Sequence, residues 1–187
     1  MAKTDSEEST KEYDRLMNMH KGRFGASVST LFLIKLIFCA LPTIGFFIYF
    51  APITKFLYKI YYLTQLGETM VVISYLMSLY ISFAQVSGIK LSYRFLRIHH
   101  ILFELAFSIQ IIIFLVYWSV LHGTFDDYVR ENGIIFHYLL LEIHSVPALS
   151  IFFEFTVGNY TIDIEDLKYG VCFAILYTIH NFIITKL

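Results

Sequence analysis

The sequence is poor in cysteine and lacks the compact motifs that mark many enzymes. Its two cysteines, Cys39 and Cys172, each lie in an apolar run, where a free thiol behaves as a small hydrophobic side chain. They form neither a disulfide framework nor a spacing suited to a metal ion. The chain also has no glycine-rich phosphate loop and no G-x-S-x-G nucleophile elbow. We therefore predict no cofactor and no metal site.

The sequence also lacks an excess of either charge. Its 14 basic and 15 acidic residues give a formal net charge of -1. The basic residues are scattered at the ends of apolar runs, whereas a nucleic-acid-binding surface gathers them into a patch. Nucleic acid is therefore excluded as a partner.

Apolar and aromatic residues are what the sequence has in abundance. Hydrophobic residues make up 57% of the chain and aromatic residues 18%, and the mean hydropathy is +0.65. The apolar share is well above that of an ordinary soluble domain. We predict an all-α polytopic helical membrane protein whose partners include membrane lipids.

Five apolar runs are candidates for transmembrane helices, because about 20 helical residues at 1.5 Å each cover the roughly 30 Å hydrocarbon core. The predicted helices are 31–50, 64–86, 101–121, 134–155 and 167–184. Residues 1–30 are predicted to form a polar N-terminal arm, and residues 31–187 a single transmembrane helical domain. The stretch 87–100 is predicted to be a short basic loop.

Lysine and arginine in the short loops predict the orientation, because cytoplasmic loops carry an excess of these residues. One side of the membrane would hold Lys11, Arg15, Lys21, Arg23, Lys90, Arg94 and Arg97, and the other Lys55, Lys59 and Arg130. The N-terminus is therefore predicted on the cytoplasmic side of an endomembrane, or on the matrix side of the mitochondrial inner membrane.

Several ionisable residues near the ends of the apolar runs are predicted to face solvent. Lys35 lies close enough to the start of the first predicted helix for its ammonium group to reach the interface. His20, His99, His100 and His122 are also expected to be interfacial and solvated.

The stretch 137–154 places two histidines, two glutamates and a proline in an otherwise apolar run. An ionisable side chain near the membrane midplane costs roughly 2.5–3.5 kcal/mol, so it usually faces a partner or a water-filled cavity. His137 and His144 share one helix face, and Pro147 opens the backbone beside His144. The alternative for His137 and Glu142 is hydrogen bonding to neighbouring helices without any further function.

A pair of histidines raises another possibility, a b-type haem. Such a haem needs two facing imidazoles, for which His144 and His180 on the last two predicted helices are the candidates. No spacing fixes this pairing, and hydrogen bonding between helices is the commoner role of such residues.

Four stretches of the chain follow one another in a recognisable order. They are Tyr61-Tyr62-Leu63-Thr64, the run from Arg97 to Trp118, His144-Ser145-Val146-Pro147-Ala148 with Glu154 downstream, and the run from Tyr177 to Thr185. In this order and spacing they resemble the androgen-induced-protein family of multi-span membrane proteins. The resemblance covers about residue 61 to the C-terminus.

The resemblance implies a catalytic pair. Some members of this family are threonine hydrolases that cleave fatty acid esters of hydroxy fatty acids, and their nucleophile and histidine fall on Thr64 and His144. A positioned histidine that takes the proton of a threonine hydroxyl contributes about 10²–10⁴-fold to the rate. The chain ends where family members continue into another span, and no oxyanion-hole donors can be identified. A shortened relative that has lost the activity is therefore the alternative.

A function of a different class also fits the sequence. The short chain, the polar N-terminal arm and the aromatic-rich surface are compatible with a non-catalytic accessory subunit of a large membrane assembly, for example a mitochondrial respiratory complex. Its partners would then include other membrane subunits as well as lipids.

Overall fold

The computed structural model describes residues 2–23, 25, 27–50, 63–121 and 134–184. Their helices are α1 (Ala2–Asn18), α2 (Val28–Phe50), α3 (Leu63–Ser87), α4 (Tyr93–Val116), α5 (Ile134–Val157) and α6 (Leu167–Ile184). A π-helical turn, Tyr117–Leu121, extends α4, and a 3₁₀ turn, Ile164–Asp166, precedes α6. Because this part of the chain contains no strand, the all-α prediction is confirmed.

Three of the described helical segments are long and apolar enough to cross a membrane. They are Val28–Phe47, Leu63–Ser87 and Tyr93–Ser119. They correspond to the first three predicted transmembrane helices, and they are consistent with an integral membrane protein.

The start of α4 lies inside the stretch that was predicted to be a basic loop. α4 begins at Tyr93, and the hydroxyl oxygen of Ser92 accepts the backbone N–H of Phe95 at 3.3 Å. This cap satisfies one of the donors that the first helical turn leaves open. The turn after α3 uses Gly88, whose φ of 69° suits glycine. The loop prediction for 87–100 is therefore wrong from residue 93 onward.

The four helices α2 to α5 form an up-and-down bundle. α2 packs between α3 and α5, and α4 closes the ring by packing on both of these helices. α6 packs on α4, outside the ring. α1 packs against α4 at the end of the bundle where α3 ends and α4 begins. We name this end the α1 end.

Two segments of the chain meet at the α1 end and hold Tyr160 in the core. Gly22 and Gly158 form an isolated antiparallel bridge, and the N–H of Asn159 donates to the carbonyl of Met19 at 3.0 Å. A Cβ on Gly158 would lie 2.6 Å from the ring of Tyr160, so glycine leaves room for that ring to fold back. Tyr160 is 2% exposed as a result.

Two helical glycines that lie near α4 should respond differently to a larger side chain. A Cβ on Gly67 would lie 2.8 Å from Ile113 Cδ1 and 3.0 Å from Ile109 Cγ2, whereas a Cβ on Gly170 would lie 4.0 Å from Leu105 Cδ2. We expect Gly67→Leu to push α3 away from α4 and to cost about 1–3 kcal/mol, the usual range for overpacking. Gly170→Leu should leave stability unchanged.

Thermal unfolding of the two variants in detergent, followed by helical circular dichroism, measures this difference. Equal midpoints for the two variants would contradict the close packing of α3 on α4.

Candidate functional site

A lysine and a glutamate form an ion pair inside the bundle, near the α1 end. Nζ of Lys35 on α2 lies 2.8 Å from Oε1 of Glu154 on α5, and the two side chains are 0% and 2% exposed. The prediction that Lys35 reaches the interface is therefore wrong. Burying both charges costs several kcal/mol per ion, and this cost is offset only where the geometry is good and further hydrogen bonds are made.

Those further hydrogen bonds come from three other segments of the chain. Lys35 Nζ donates to Ser78 Oγ on α3 at 2.9 Å, and Ser78 Oγ donates to Glu154 Oε1 at 2.6 Å. The hydroxyl of Tyr160 donates to the same carboxylate oxygen at 2.8 Å. His20, just after α1, places Nδ1 3.4 Å from Lys35 Nζ. We name these five residues the Lys35 cluster.

The two residues of the Lys35 cluster that lie outside the helices are uncharged at neutral pH. Burial, reinforced by the charge of Lys35, lowers the pKa of His20 well below its usual value, so its neutral ring can accept a hydrogen bond from Lys35. Burial, reinforced by the carboxylate of Glu154, raises the pKa of Tyr160 well above its usual value. Lys35 and Glu154 therefore carry the charge of the cluster. The prediction that His20 is solvated is wrong, since its side chain is enclosed by these partners.

The two histidines near the start of α4 are also buried. His99 and His100 are each 1% exposed, which contradicts the prediction that they are solvated. Nε2 of His99 lies 3.1 Å from the carbonyl oxygen of Ser74, a contact that assigns the ring proton to this nitrogen. His122, which was grouped with them, lies outside the described residues.

A second group of polar side chains surrounds His100. Its Nε2 lies 3.2 Å from Oδ2 of Asp163 and 3.4 Å from Oε1 of Glu104. The backbone N–H of Asp163 donates to Glu104 Oε1 at 2.5 Å. Oδ2 of Asp166 lies 3.9 Å from His100 Nε2. We name these four residues the His100 cluster.

Two arginines hold the His100 cluster from outside. Arg15 of α1 donates to both carboxylate oxygens of Asp163, at 3.0 and 2.6 Å, and Arg97 of α4 donates to Asp166. The hydrogen bonds from Arg15 hold the pKa of the Asp163 carboxyl below its usual value, so it stays ionised at neutral pH. The segment between α5 and α6 is thereby tied to both α1 and α4.

A cleft of about 510 Å³ lies between α4 and α6. Its walls are mostly apolar and include Leu105, Ile109, Ile112, Val171 and Ala174. Three members of the His100 cluster also line it, namely Glu104, Asp163 and Asp166. The cleft therefore has apolar sides and an acidic end, which is the α1 end.

The structure shows no hydrogen bond between Thr64 and His144, both of which it describes. Thr64 is half-buried in the first turn of α3, and residues 51–62 before it lie outside the described part of the chain. His144 stacks on Tyr117, with ring centroids 4.1 Å apart and ring planes at 13°. A general base acts within about 2.6–3.2 Å of the proton it takes, or through one water molecule. No hydrogen bond joins these two described residues, and their catalytic roles stay predictions.

The structure also describes Glu142, another polar residue of the stretch 137–154. The carboxylate of Glu142 lies against Gly45 of α2, where a Cβ would be 1.7 Å from its Oε1. Both of its oxygens are buried without a hydrogen-bond partner among the described residues, and the same holds for Glu68 of α3. The predicted hydrogen bond from Glu142 to a neighbouring helix is thus not found there. The side chain of His137 lies outside the described residues, and His180 is half-buried on α6.

The contacts among the polar residues that matter most in the structure were not predicted from the sequence. A lysine in the first apolar run and a glutamate near the end of the fourth offered a weak signal, because opposite charges inside a membrane usually pair. His100 and Glu104 are spaced to share one face of a helix, and Asp163 and Asp166 are similarly close in the chain. Nothing in the sequence indicated that these two pairs meet.

No protein-family model matches the chain, and neither a curated protein nor a solved structure is significantly similar to it. The likeness to the androgen-induced-protein family therefore rests on four stretches of sequence between Tyr61 and Thr185 and stays a prediction.

Two buried glutamates offer a matched test of the ion pair. Glu154 is paired and hydrogen-bonded, whereas neither carboxylate oxygen of Glu68, which is 0% exposed, has a hydrogen-bond partner among the described residues. We expect Glu154→Gln to lower stability by about 3–5 kcal/mol, because it leaves the charge of Lys35 buried without its partner. Glu68→Gln should leave stability unchanged or raise it, since it removes a carboxylate that is costly to bury.

Both glutamate variants keep the shape of the side chain, so thermal unfolding in the same detergent compares them directly. A loss for Glu68→Gln as large as that for Glu154→Gln would contradict the special role of the ion pair.

Proposed function

We propose that this chain is a five-span integral membrane protein that holds the acyl chain of a membrane lipid in the cleft between α4 and α6. In this proposal α2 to α6 each cross the membrane once. α5 and α6 have 24 and 18 residues, which at 1.5 Å per residue give about 36 and 27 Å, close to the thickness of the hydrocarbon core. The distribution of lysine and arginine supports an N-terminus on the cytoplasmic or matrix side.

The observation that carries this proposal is the chemistry of the cleft. Its volume of about 510 Å³ lies within the range of small-molecule sites, and such sites typically combine apolar walls with a few polar groups that fix orientation. Two apolar residues that line the cleft, Ile112 and Val171, are 55% and 52% exposed, so the rim of the cleft faces the surface that lipid covers. An acyl chain could enter sideways and keep its polar end at the α1 end.

This proposal keeps the lipid ligand that the family resemblance implies, but it does not include ester hydrolysis. Leu63 lines the cleft beside Thr64, whereas His144 is stacked on Tyr117. We therefore propose lipid binding without hydrolysis by Thr64 and His144, which is the alternative in which the activity has been lost.

Photo-crosslinking tests the lipid proposal. The full chain in lipid nanodiscs is exposed to a phosphatidylcholine that carries a diazirine in its acyl chain, and cross-linked peptides are mapped by mass spectrometry. We expect labels on the walls of the cleft, such as Leu105 and Ile112. Ala174→Trp should fill the cleft and reduce this labelling several-fold, whereas Leu176→Trp, which lies outside the lining on the same helix, should not. Labelling that is uniform over all exposed apolar residues, and equal in both variants, would disprove the proposal.

An activity-based fluorophosphonate probe tests the hydrolytic alternative. We expect that no labelling of the purified parent chain depends on Thr64 or on His144, because the structure shows no hydrogen bond between these two residues. Thr64→Ala and His144→Ala should therefore be labelled to the same extent as the parent. Labelling of the parent that disappears in both variants would show that the catalytic pair forms.

One observation favours a second candidate function, that of an accessory subunit. α6 packs on α4 along one side, and apolar residues on its other sides, such as Leu176 and Phe182, are each 65% exposed. A helix of a neighbouring subunit could cover this surface as lipid does. The mass of the native particle, extracted in mild detergent, distinguishes a free lipid-binding protein from an accessory subunit. Migration near the mass of one chain plus its micelle would count against the accessory-subunit function.

A further inference from the structure

The His100 cluster carries an excess of negative charge. The acidic side chains in contact there are Glu12, Glu104, Asp163 and Asp166, and the basic ones are Arg15 and Arg97. With all four carboxylates ionised and His100 neutral, their net charge is -2. The side chains of Asp166, His100 and Glu104 are only 1%, 1% and 9% exposed. An uncompensated negative charge is costly to bury. One divalent cation would neutralise the cluster.

Two carboxylate oxygens of the cluster are left without a partner. Oε2 of Glu104 and Oδ2 of Asp166 are both buried, and neither has a hydrogen-bond partner in the described part of the chain. Oδ2 of Asp166 points toward His100, whose Nε2 is 3.9 Å away. Buried polar atoms are nearly always paired in folded proteins, so two such oxygens in one cluster share either a proton or a bound cation.

We propose that the His100 cluster binds one divalent transition-metal ion, through Nε2 of His100 and one carboxylate oxygen each from Glu104, Asp163 and Asp166. One such atom from each residue can be chosen so that all four lie within 4.8 Å of one another. Ligands on opposite sides of an ion at about 2.0–2.4 Å are about 4.0–4.8 Å apart, so the set fits with little movement.

The ligand set selects the kind of ion. An imidazole nitrogen with carboxylate oxygens suits zinc or manganese, whereas calcium and magnesium prefer oxygen ligands alone. Arg15 and Arg97, which bind the carboxylates of Asp163 and Asp166, fix the orientation of these ligands from outside.

A bound ion would also let the acidic end of the cleft bind an anionic lipid headgroup. This part of the inference rests on the proposed lipid function. Glu104, Asp163 and Asp166 line both the cleft and the cluster. Without an ion these carboxylates repel a phosphate or carboxylate headgroup, whereas a bound cation attracts one. Metal binding itself needs no lipid and is measured without it.

The test uses the full chain, purified in detergent and stripped with a chelator. Zn²⁺ and Mn²⁺ are titrated separately by calorimetry, and the bound metal is counted by elemental analysis after desalting. We expect one ion per chain, with an affinity that falls at least about 10- to 100-fold in His100→Gln and in Asp166→Asn. Glu165→Gln, which removes the same charge from the exposed neighbouring residue, should bind as the parent does. No binding to the parent, or equal binding to all four proteins, would overturn the proposal.

A second measurement on the parent chain does not depend on the folding of a variant. With Mn²⁺ bound, electron–nuclear double resonance should show coupling to one imidazole ¹⁴N nucleus, and absence of that coupling would exclude His100 as a ligand. The cross-linking experiment distinguishes the two proposals. If metal binds but Ala174→Trp leaves lipid labelling unchanged, the lipid cleft is disproved and the metal site stands. If labelling behaves as expected and no metal binds, the metal site alone is disproved.

Discussion

The pairing of Lys35 with Glu154 is the constraint on which the α1 end of this protein depends. The pair joins α2 to α5, Ser78 adds α3, and Tyr160 and His20 bring in the segments that follow α5 and α1. An unpaired charge buried inside the bundle is costly. Each of these segments must therefore pack at the α1 end before both charges have their hydrogen-bond partners. The pair therefore selects one arrangement of the helices, which non-directional apolar packing alone does not.

The same arrangement builds the second cluster and the cleft. The bridge between Gly22 and Gly158 and the burial of Tyr160 fix the path of the chain after α5. That path carries Asp163 and Asp166 to His100, and it sets where α6 starts along α4. One side of the segment between α5 and α6 thus faces the Lys35–Glu154 ion pair, whose two charges cancel. The other side faces the His100 cluster, in which acidic residues outnumber basic ones. This contrast is why we place structural stability in the first cluster and ligand binding in the second.

The apolar helices α2 to α6 could be predicted from the sequence, because an apolar run of sufficient length has few alternatives in a membrane, whereas the polar helix α1 was predicted only as an arm. The start of α4 was missed because the charged and polar residues 93–100 resemble a loop unless the cap at Ser92 is noticed. Lys35 and His20 were placed in solvent because their partners, Glu154 and Tyr160, lie far away in the sequence. The depth of a residue in the membrane can be estimated from its position in an apolar run. Predicting which helices touch also requires the rotation of each helix about its own axis, and the weak amphipathic pattern of these helices does not give that rotation.

A double-mutant cycle on Lys35 and Glu154 tests the central claim most directly. Thermal unfolding is compared for the parent, Lys35→Met, Glu154→Leu and the double variant in one detergent. A coupled pair predicts that each single variant loses stability by exposing its partner's charge to an apolar site. The double variant should then recover much of that loss, with an interaction free energy of about 0.5–3 kcal/mol. Losses that simply add in the double variant would contradict the claim that this ion pair organises the α1 end.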